Sequence, residues 1–337
     1  FFDTRRTEKM WKLQGEVDRW IITAKAPVPF ATVLMDRSIP TQARIFRRGD
    51  PTLQGAEVER QFLPLLSEAP LPFEHGSGRL EFAGAIASAK HALTARVIVN
   101  RLWQHHFGRG IDSTPNDFGR LGTQPTHPAL LDWPASKLIQ KGWRLKPIHR
   151  LIMNSAVYTQ DTTWDKKRHD VDHENKLMWR RQPRRVQAEI LRDSIMNTAG
   201  TLNRQLFGPS IKPWVSRDAI KTGSTNKWPT NVKDGPKTWR RSSYVFMRRS
   251  MRVPFFETFD VPDAMSSRGV REKTTVATQA LLLMNNEFVR KQAEHFAGRL
   301  GQLENKEPRV AVEEAYWLAL SRKPTEEEIK LSLELIN

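Results

Sequence analysis

TARVIVNRLWQHHFGRG, from Thr94 to Gly110, is the stretch on which the fold turns. Thr94 is a good N-cap residue, and Val97, Ile98, Leu102, Trp103 and Phe107 recur at helical spacing before Gly108 and Gly110 stop the run. The segment that follows, STPNDFGRLGTQPTHP (Ser113 to Pro128), is turn chemistry: Pro, Gly, Asn and Asp. Thr126 with Pro128 in the first turn starts the next helix, through Leu130, Leu131, Trp133, Leu138 and Ile139 to Gly142. Pro134 lies inside it, so the helix either kinks there or divides into two short turns. Pro147, Ile148, Leu151, Ile152 and Val157 mark a helix over Lys146 to Tyr158, and Val186, Ile190, Leu191, Ile195, Ala199 and Leu202 mark another that ends near Gly200.

Outward from this centre the helical pattern continues. Thr278 to Leu300 reads as helix broken near Asn285 and Asn286, and Arg309 to Leu320 as a further helix. Thr325 followed by Glu328 has capping-box spacing and opens a last one. Ser243 to Arg248 (SYVFMR) reads as a strand, and Leu206 to Thr238 has no periodicity of either kind. From Phe1 to about Phe73 repeated prolines leave a short, irregular pattern in which Thr32 to Met35 and Ala43 to Phe46 are the expected strands; residues Glu74 to Lys90 turn helical around Leu80, Phe82 and Ile86. The expected fold is mainly α with a small β element: an irregular helical domain over 78–337, preceded over 1–77 by a β-containing connector and the end of a preceding domain.

Composition bounds the function. At 337 residues, 39% hydrophobic and 27% charged, the chain is globular, and no apolar run approaches the ~20 residues of a spanning helix. It begins at Phe1 with no signal-like segment, so it reads as a piece of something longer. It has no cysteine, which excludes disulfides, a thiolate nucleophile or metal site and c-type haem attachment within these residues. Lys and Arg number 54 against 37 Asp and Glu, a net charge of +17 that favours anionic partners. The basic residues cluster at Arg44, Arg47 and Arg48; at Arg180, Arg181, Arg184 and Arg185; and at Arg240, Arg241, Arg248, Arg249 and Arg252.

Five blocks carry a resemblance: NRLWQHHFGRGIDSTPNDFGRLGTQPTHPALLDW from Asn100, GWRLKPIHRLIMNSAVYTQ from Gly142, WRRQPRRVQAEILRDSI from Trp179, RRSSYVFMRRSMRVPFFETFDVPDA from Arg240, and TTVATQALLLMNNEFVRKQAEHFAGRL from Thr274. In this order they resemble the planctomycete-type C-terminal domain of unknown function found in cytochrome-associated envelope proteins. The likeness runs from about Gly78 to the end, and Pro134 and the irregular helix after Gly78 depart from it. The resemblance implies an extracytoplasmic or cell-envelope setting and neighbouring domains able to carry haem. It lends no catalytic residues.

Candidate site residues fall into two groups. The first is a polar centre of Arg101, His105, Asp117, His127 and His149, drawn from the histidine-rich central blocks. His106 shares a stripe with Val99, Leu102 and Trp103 and reads as a core histidine, whereas His105 faces away with Ile98 and Arg101. The types suit a metal, but no HExxH, HxH or DxH spacing joins them, so no metal site is expected. DVDHEN (Asp170 to Asn175) lacks the Gly and Glu that a calcium loop needs. Glu189 and Asp193 share one helix face, near Arg185 and Arg192, and read as a surface ion-pair ladder. The second group lies in or beside the aperiodic stretch: Trp214, Trp228, Trp239, Arg240 and Arg241, interleaved with Lys212, Arg217, Lys221, Lys227, Lys233 and Lys237. Flat aromatic faces beside cations suit polyanions with apolar faces.

Three functions stay open at this point. The first is a non-enzymatic binding or docking module for an anionic polymer, a sulfated or uronic glycan, or for a haem-bearing neighbour domain. An envelope hydrolase acting on polysaccharide, with His105, Asp117, His127 and His149 around one cleft, is the second. Nucleic-acid binding is the third. No cofactor is expected in this chain. Trp103 and His106 are expected to be largely buried, Arg101 or His105 to reach the FGRLG loop, and Trp228 to lie outside the core.

Overall fold

The computed structural model describes residues 3–23, 31, 33–67, 71–215, 228–229, 231–249, 251–301 and 307–336. The chain divides into two compact units, Phe1–Thr94 and Ala95–Asn337. Thirteen α-helices and one two-stranded sheet make up the regular structure among the described residues.

In the first unit, α1 (Thr4–Thr23) corrects the expectation of irregular chain. The proline-rich pattern begins only at Pro27, and Asp3 caps the free N–H of Arg6 at 2.8 Å, so nothing interrupts these twenty residues. The sheet is the hairpin β1 (Arg44–Phe46) and β2 (Gln54–Glu57), antiparallel with an irregular register. One of the two expected strands is thus present. Residues 33–35 are exposed and irregular, and Thr32 lies outside the described residues. Helix α2 (Arg79–Ile86) follows Gly78, whose φ of +77° and contact with Phe73 leave no room for a Cβ.

The second unit is built on α3 (Thr94–Phe107), where Ala95, Val99, Asn100 and Trp103 are buried. Thr94 is already helical, and its N–H is accepted by His91 Nδ1 at 3.1 Å, so His91 takes the capping role expected of Thr94. Helix α4 (Pro128–Gln140) runs unbroken through Pro134, which is buried; the helix gives up one backbone hydrogen bond and does not divide. Together with α5 (Leu145–Met153), these helices enclose Val99, Trp103, Ile111, Leu131, Leu138, Ile148 and Ile152. Short α6 (Ala156–Thr159) and α7 (Lys166–Val171) follow, the second capped by Asp165. Asp172 in the DVDHEN segment spends both oxygens on the N–H groups of Lys176 and Leu177, at 2.8 and 2.7 Å.

A second core gathers around α8 (Ala188–Ala199), α9 (Pro254–Thr258), α10 (Ala277–Asn285) and α11 (Glu287–Gly301). Its centre is Phe255, Phe256, Phe259, Val245, Val253 and Trp228. The SYVFMR strand does not form: Ser242–Tyr244 is a 3₁₀ turn, and beyond it the chain makes only single bridges, Val245 to Ile211 and Arg248 to Met251. The cause lies in α8. Asp193 accepts both the N–H and the hydroxyl of Ser242 at 2.7 Å, and buried Arg192 donates to the Arg240 and Thr238 carbonyls at 3.0 Å, which holds the backbone in a turn. The ladder expected on α8 is therefore an anchor for the 238–245 segment. Helices α12 (Pro308–Leu320) and α13 (Glu326–Ile336) close the chain, and the Thr325–Glu328 capping box forms in both directions, at 2.8 and 3.2 Å.

Candidate functional site

The C-terminal end of α3 organises the site. Its last carbonyls need donors, and two arginines supply them: Arg184 Nη1 reaches the His105 carbonyl at 2.6 Å and Arg181 Nη2 the His106 carbonyl at 3.0 Å. Arg181 also stacks on Tyr158 and Phe107, 4.2 and 5.1 Å from the ring centres. Gly108 ends the helix at φ +87°, and a Cβ there would meet Arg184 Cδ at 2.8 Å, with Lys273 Nζ at 3.8 Å. Its bareness lets two cations converge on one spot.

Around that spot opens a cleft of about 350 Å³ between α3 and the 262–273 loop. Gln104 ties the loop to the helix by donating to the Gly269 carbonyl at 3.0 Å. Arg101, Arg184, Arg268, Arg271 and Lys273 line the cleft, with His105, and no Asp or Glu is among its lining residues. Two of the cations are already paired: Arg271 holds Glu189 through two bonds at 2.9 and 3.0 Å, and Arg268 lies between Asp263 and Glu272. Arg101, Arg184 and Lys273 have no carboxylate partner among the described residues; Arg101 reaches only Asn116 Oδ1, at 3.3 Å. Burial, then the Arg181 charge, holds the Arg184 guanidinium below its usual range, so an anion beside it would relieve an existing cost.

The five residues expected to form one polar centre do not come together. Arg101 and His105 line the cleft. Asp117 instead turns back on its own loop, accepting the Gly119 N–H at 2.9 Å, and His127 Nδ1 lies 3.0 Å from Thr126 Oγ1. His149 Nδ1 is 2.8 Å from His106 Nε2, with Tyr158 edge-on to the His106 ring. His106 is half-buried, less enclosed than expected, because it faces His149 across the last turn of α3. Its pKa is lowered by burial first, then by His149, Arg181 and Arg184.

The tryptophan group is also divided. Trp228 is 2% exposed and its indole N–H donates to the Pro213 carbonyl at 2.9 Å, so its ring belongs to the second core and offers no binding face. Arg240 is buried too: it donates to the carbonyls of Pro209, Gln205 and Phe207 and stacks on Tyr244 at 3.8 Å. Both expectations of a surface role are corrected, because each side chain finds partners distant in sequence. Trp214 and Trp239 are half-buried and Arg241 is exposed. Arg217, Lys221 and Lys227 lie outside the described residues.

Sequence reasoning missed Lys273 and the structural pair Asn100 and Asp112. Asn100 exchanges two 2.9 Å bonds with the Asp112 backbone, and Asp112 Oδ1 then accepts from Thr114 and Thr123, which fixes the loop between α3 and α4. Gly110 beside them would place a Cβ 2.3 Å from the Asp112 carbonyl. Among the described residues, no group of three or more His, Asp or Glu side chains is placed to hold a metal ion. A family model, PSD1, described as Protein of unknown function (DUF1553), matches residues 78–336. Among the curated proteins and the solved structures, nothing matches.

Proposed function

As the chain belongs to the PSD1 family of proteins of unknown function (DUF1553), a planctomycete-associated domain, we propose a role read from its own cleft: binding of an anionic polymer, a sulfated or uronic glycan. The observation that carries this reading is the convergence of Arg101, Arg184 and Lys273, without carboxylate partners among the described residues, on a cleft with no acidic lining residue. Field lines focus in such a cleft, and a guanidinium presents a fork that fits sulfate and carboxylate oxygens alike. The remaining net charge of the chain adds long-range attraction. An extracytoplasmic setting, implied by the family resemblance, puts envelope polysaccharides within reach.

The reading is tested by titrating the purified chain with a sulfated glycan, a uronic glycan and double-stranded DNA at low and high salt. The expected result is glycan binding that persists in part at high salt, where screening shortens the Debye length to roughly 3 Å at 1 M and leaves only direct contacts. Equal binding to all three ligands, abolished together by salt, would leave net charge as the whole explanation and end the proposal.

A further inference from the structure

The loop 205–209 carries an exposed apolar pair on a firmly anchored backbone. Phe207 takes φ +62°, a left-handed conformation that is an outlier for a bulky side chain, and Gly208 follows at +85°. Buried Arg240 fixes that backbone by donating to the Gln205, Phe207 and Pro209 carbonyls, and the Tyr244 hydroxyl accepts the Phe207 N–H at 2.6 Å. Arg240 is itself tied to α8, because its carbonyl accepts from Arg192 Nη1 at 3.0 Å. Yet the residues held this way pack into no core: Phe207 is 80% exposed and Leu206 beside it 57%. Strain held by buried partners, with the apolar side chains left in solvent, is the mark of a contact surface and not of packing.

Charge identifies the partner. The loop belongs to segment 203–212, which is bridged to segment 236–249 at Asn203 with Arg240 and at Ile211 with Val245. Neither segment contains Asp or Glu, and Arg204, Lys212, Lys237, Arg241 and Arg249 are exposed on them. Asp193 and Asp234, which do approach them, are bonded to Ser242 and to the Trp239 indole N–H. Phe246 and Met247 add further exposed apolar surface on the second segment.

We infer that this loop docks the chain on an anionic lipid bilayer, with Leu206 and Phe207 inserted at the headgroup boundary and the flanking cations on the lipid phosphates. A bilayer takes an apolar tip without offering a shaped groove, and anionic lipids attract each nearby Lys or Arg. A sulfated glycan would meet the cations but leave the Leu206 side chain in water. The anchored backbone is already ordered, so little conformational freedom is lost on insertion. This inference stands on observations separate from the cationic cleft and does not rest on the reading given to it.

The test is co-sedimentation of the full 337-residue chain with vesicles of phosphatidylglycerol and phosphatidylcholine in equal parts, beside vesicles of phosphatidylcholine alone. The chain binds the anionic mixture, and binds phosphatidylcholine at least about tenfold more weakly. Phe207→Gly removes the ring and suits the positive φ, so the unfolding midpoint does not fall while affinity for the anionic vesicles drops about tenfold. Leu206→Ser weakens that binding about fivefold, and Arg101→Gln with Lys273→Gln, in the cleft, costs less than either. If Phe207→Gly lowers the midpoint, Leu206→Ser decides alone. The proposal is overturned if the parent ignores anionic vesicles, if the loop variants bind them as well as the parent, or if the cleft variant loses more than they do. It is overturned too if sedimentation velocity shows a dimer of the parent that Phe207→Gly abolishes, because a second copy would then cover the loop.

Discussion

Trp103 and Trp228 belong to different cores, and only one of them is legible in the sequence. Trp103 recurs with Val99 and Leu102 along a helix, so periodicity alone assigns it to the interior. Trp228 lies in a stretch without period, and it is buried in one cluster with Ala188, Val245 and Phe255, all outside its own segment of the sequence. Both truncations to Ala are expected to cost roughly 3–5 kcal/mol in urea unfolding. A Trp228→Ala protein as stable as the parent would remove that residue from the core. Arg240 escaped the sequence reading for the same reason, since its carbonyl partners are at least thirty-one residues distant. His106 supplies a pH prediction. Its pKa is lowered in the fold, so the unfolded chain binds the extra proton first, and stability falls as pH drops below roughly 6.5, the ordinary histidine value. His106→Gln should flatten that part of the stability curve relative to the parent; an unchanged slope would show that other groups produce it.

Helices were legible where a cap and an apolar stripe coincide, as in α13, whose Thr325–Glu328 box forms as its spacing implies. The SYVFMR segment misled because strand composition says nothing about a partner strand, and Asp193 on α8 pulls Ser242 into a turn first. Helix α1 was hidden by the prolines that follow it. The salt bridge between α8 and the 262–273 loop gives a prediction with an unusual sign. Glu189→Gln releases Arg271 from its carboxylate, adding an unpaired cation to the cleft. Since both side chains are about a third exposed, the pair is worth roughly 0.5–1 kcal/mol. The variant should therefore bind a sulfated glycan about threefold more tightly, with a small loss of stability. Weaker binding would mean that Glu189 serves the cleft by positioning Arg271.

The charge of +17 is plain from composition, but where it collects is not. Of the basic clusters, Arg185 is spent on Asp260, Arg252 on Glu257, and Arg240 on backbone carbonyls. Arg184 is left for the cleft, where the fold adds Arg101 from α3 and Lys273 from the loop before α10. On the proposed reading, that convergence makes the cleft, and not the net charge of the chain, the place where a polyanion binds, and one comparison separates the two. Arg101→Gln with Lys273→Gln is titrated with a sulfated glycan at moderate salt beside Lys166→Gln with Lys167→Gln, a change of equal charge on the exposed helix α7. The cleft variant should lose at least about tenfold in affinity, on the order of 1.4 kcal/mol, and the α7 variant less than about twofold. Equal losses in the two variants would contradict the account, because the polymer would then be reading the charge of the chain and not its cleft.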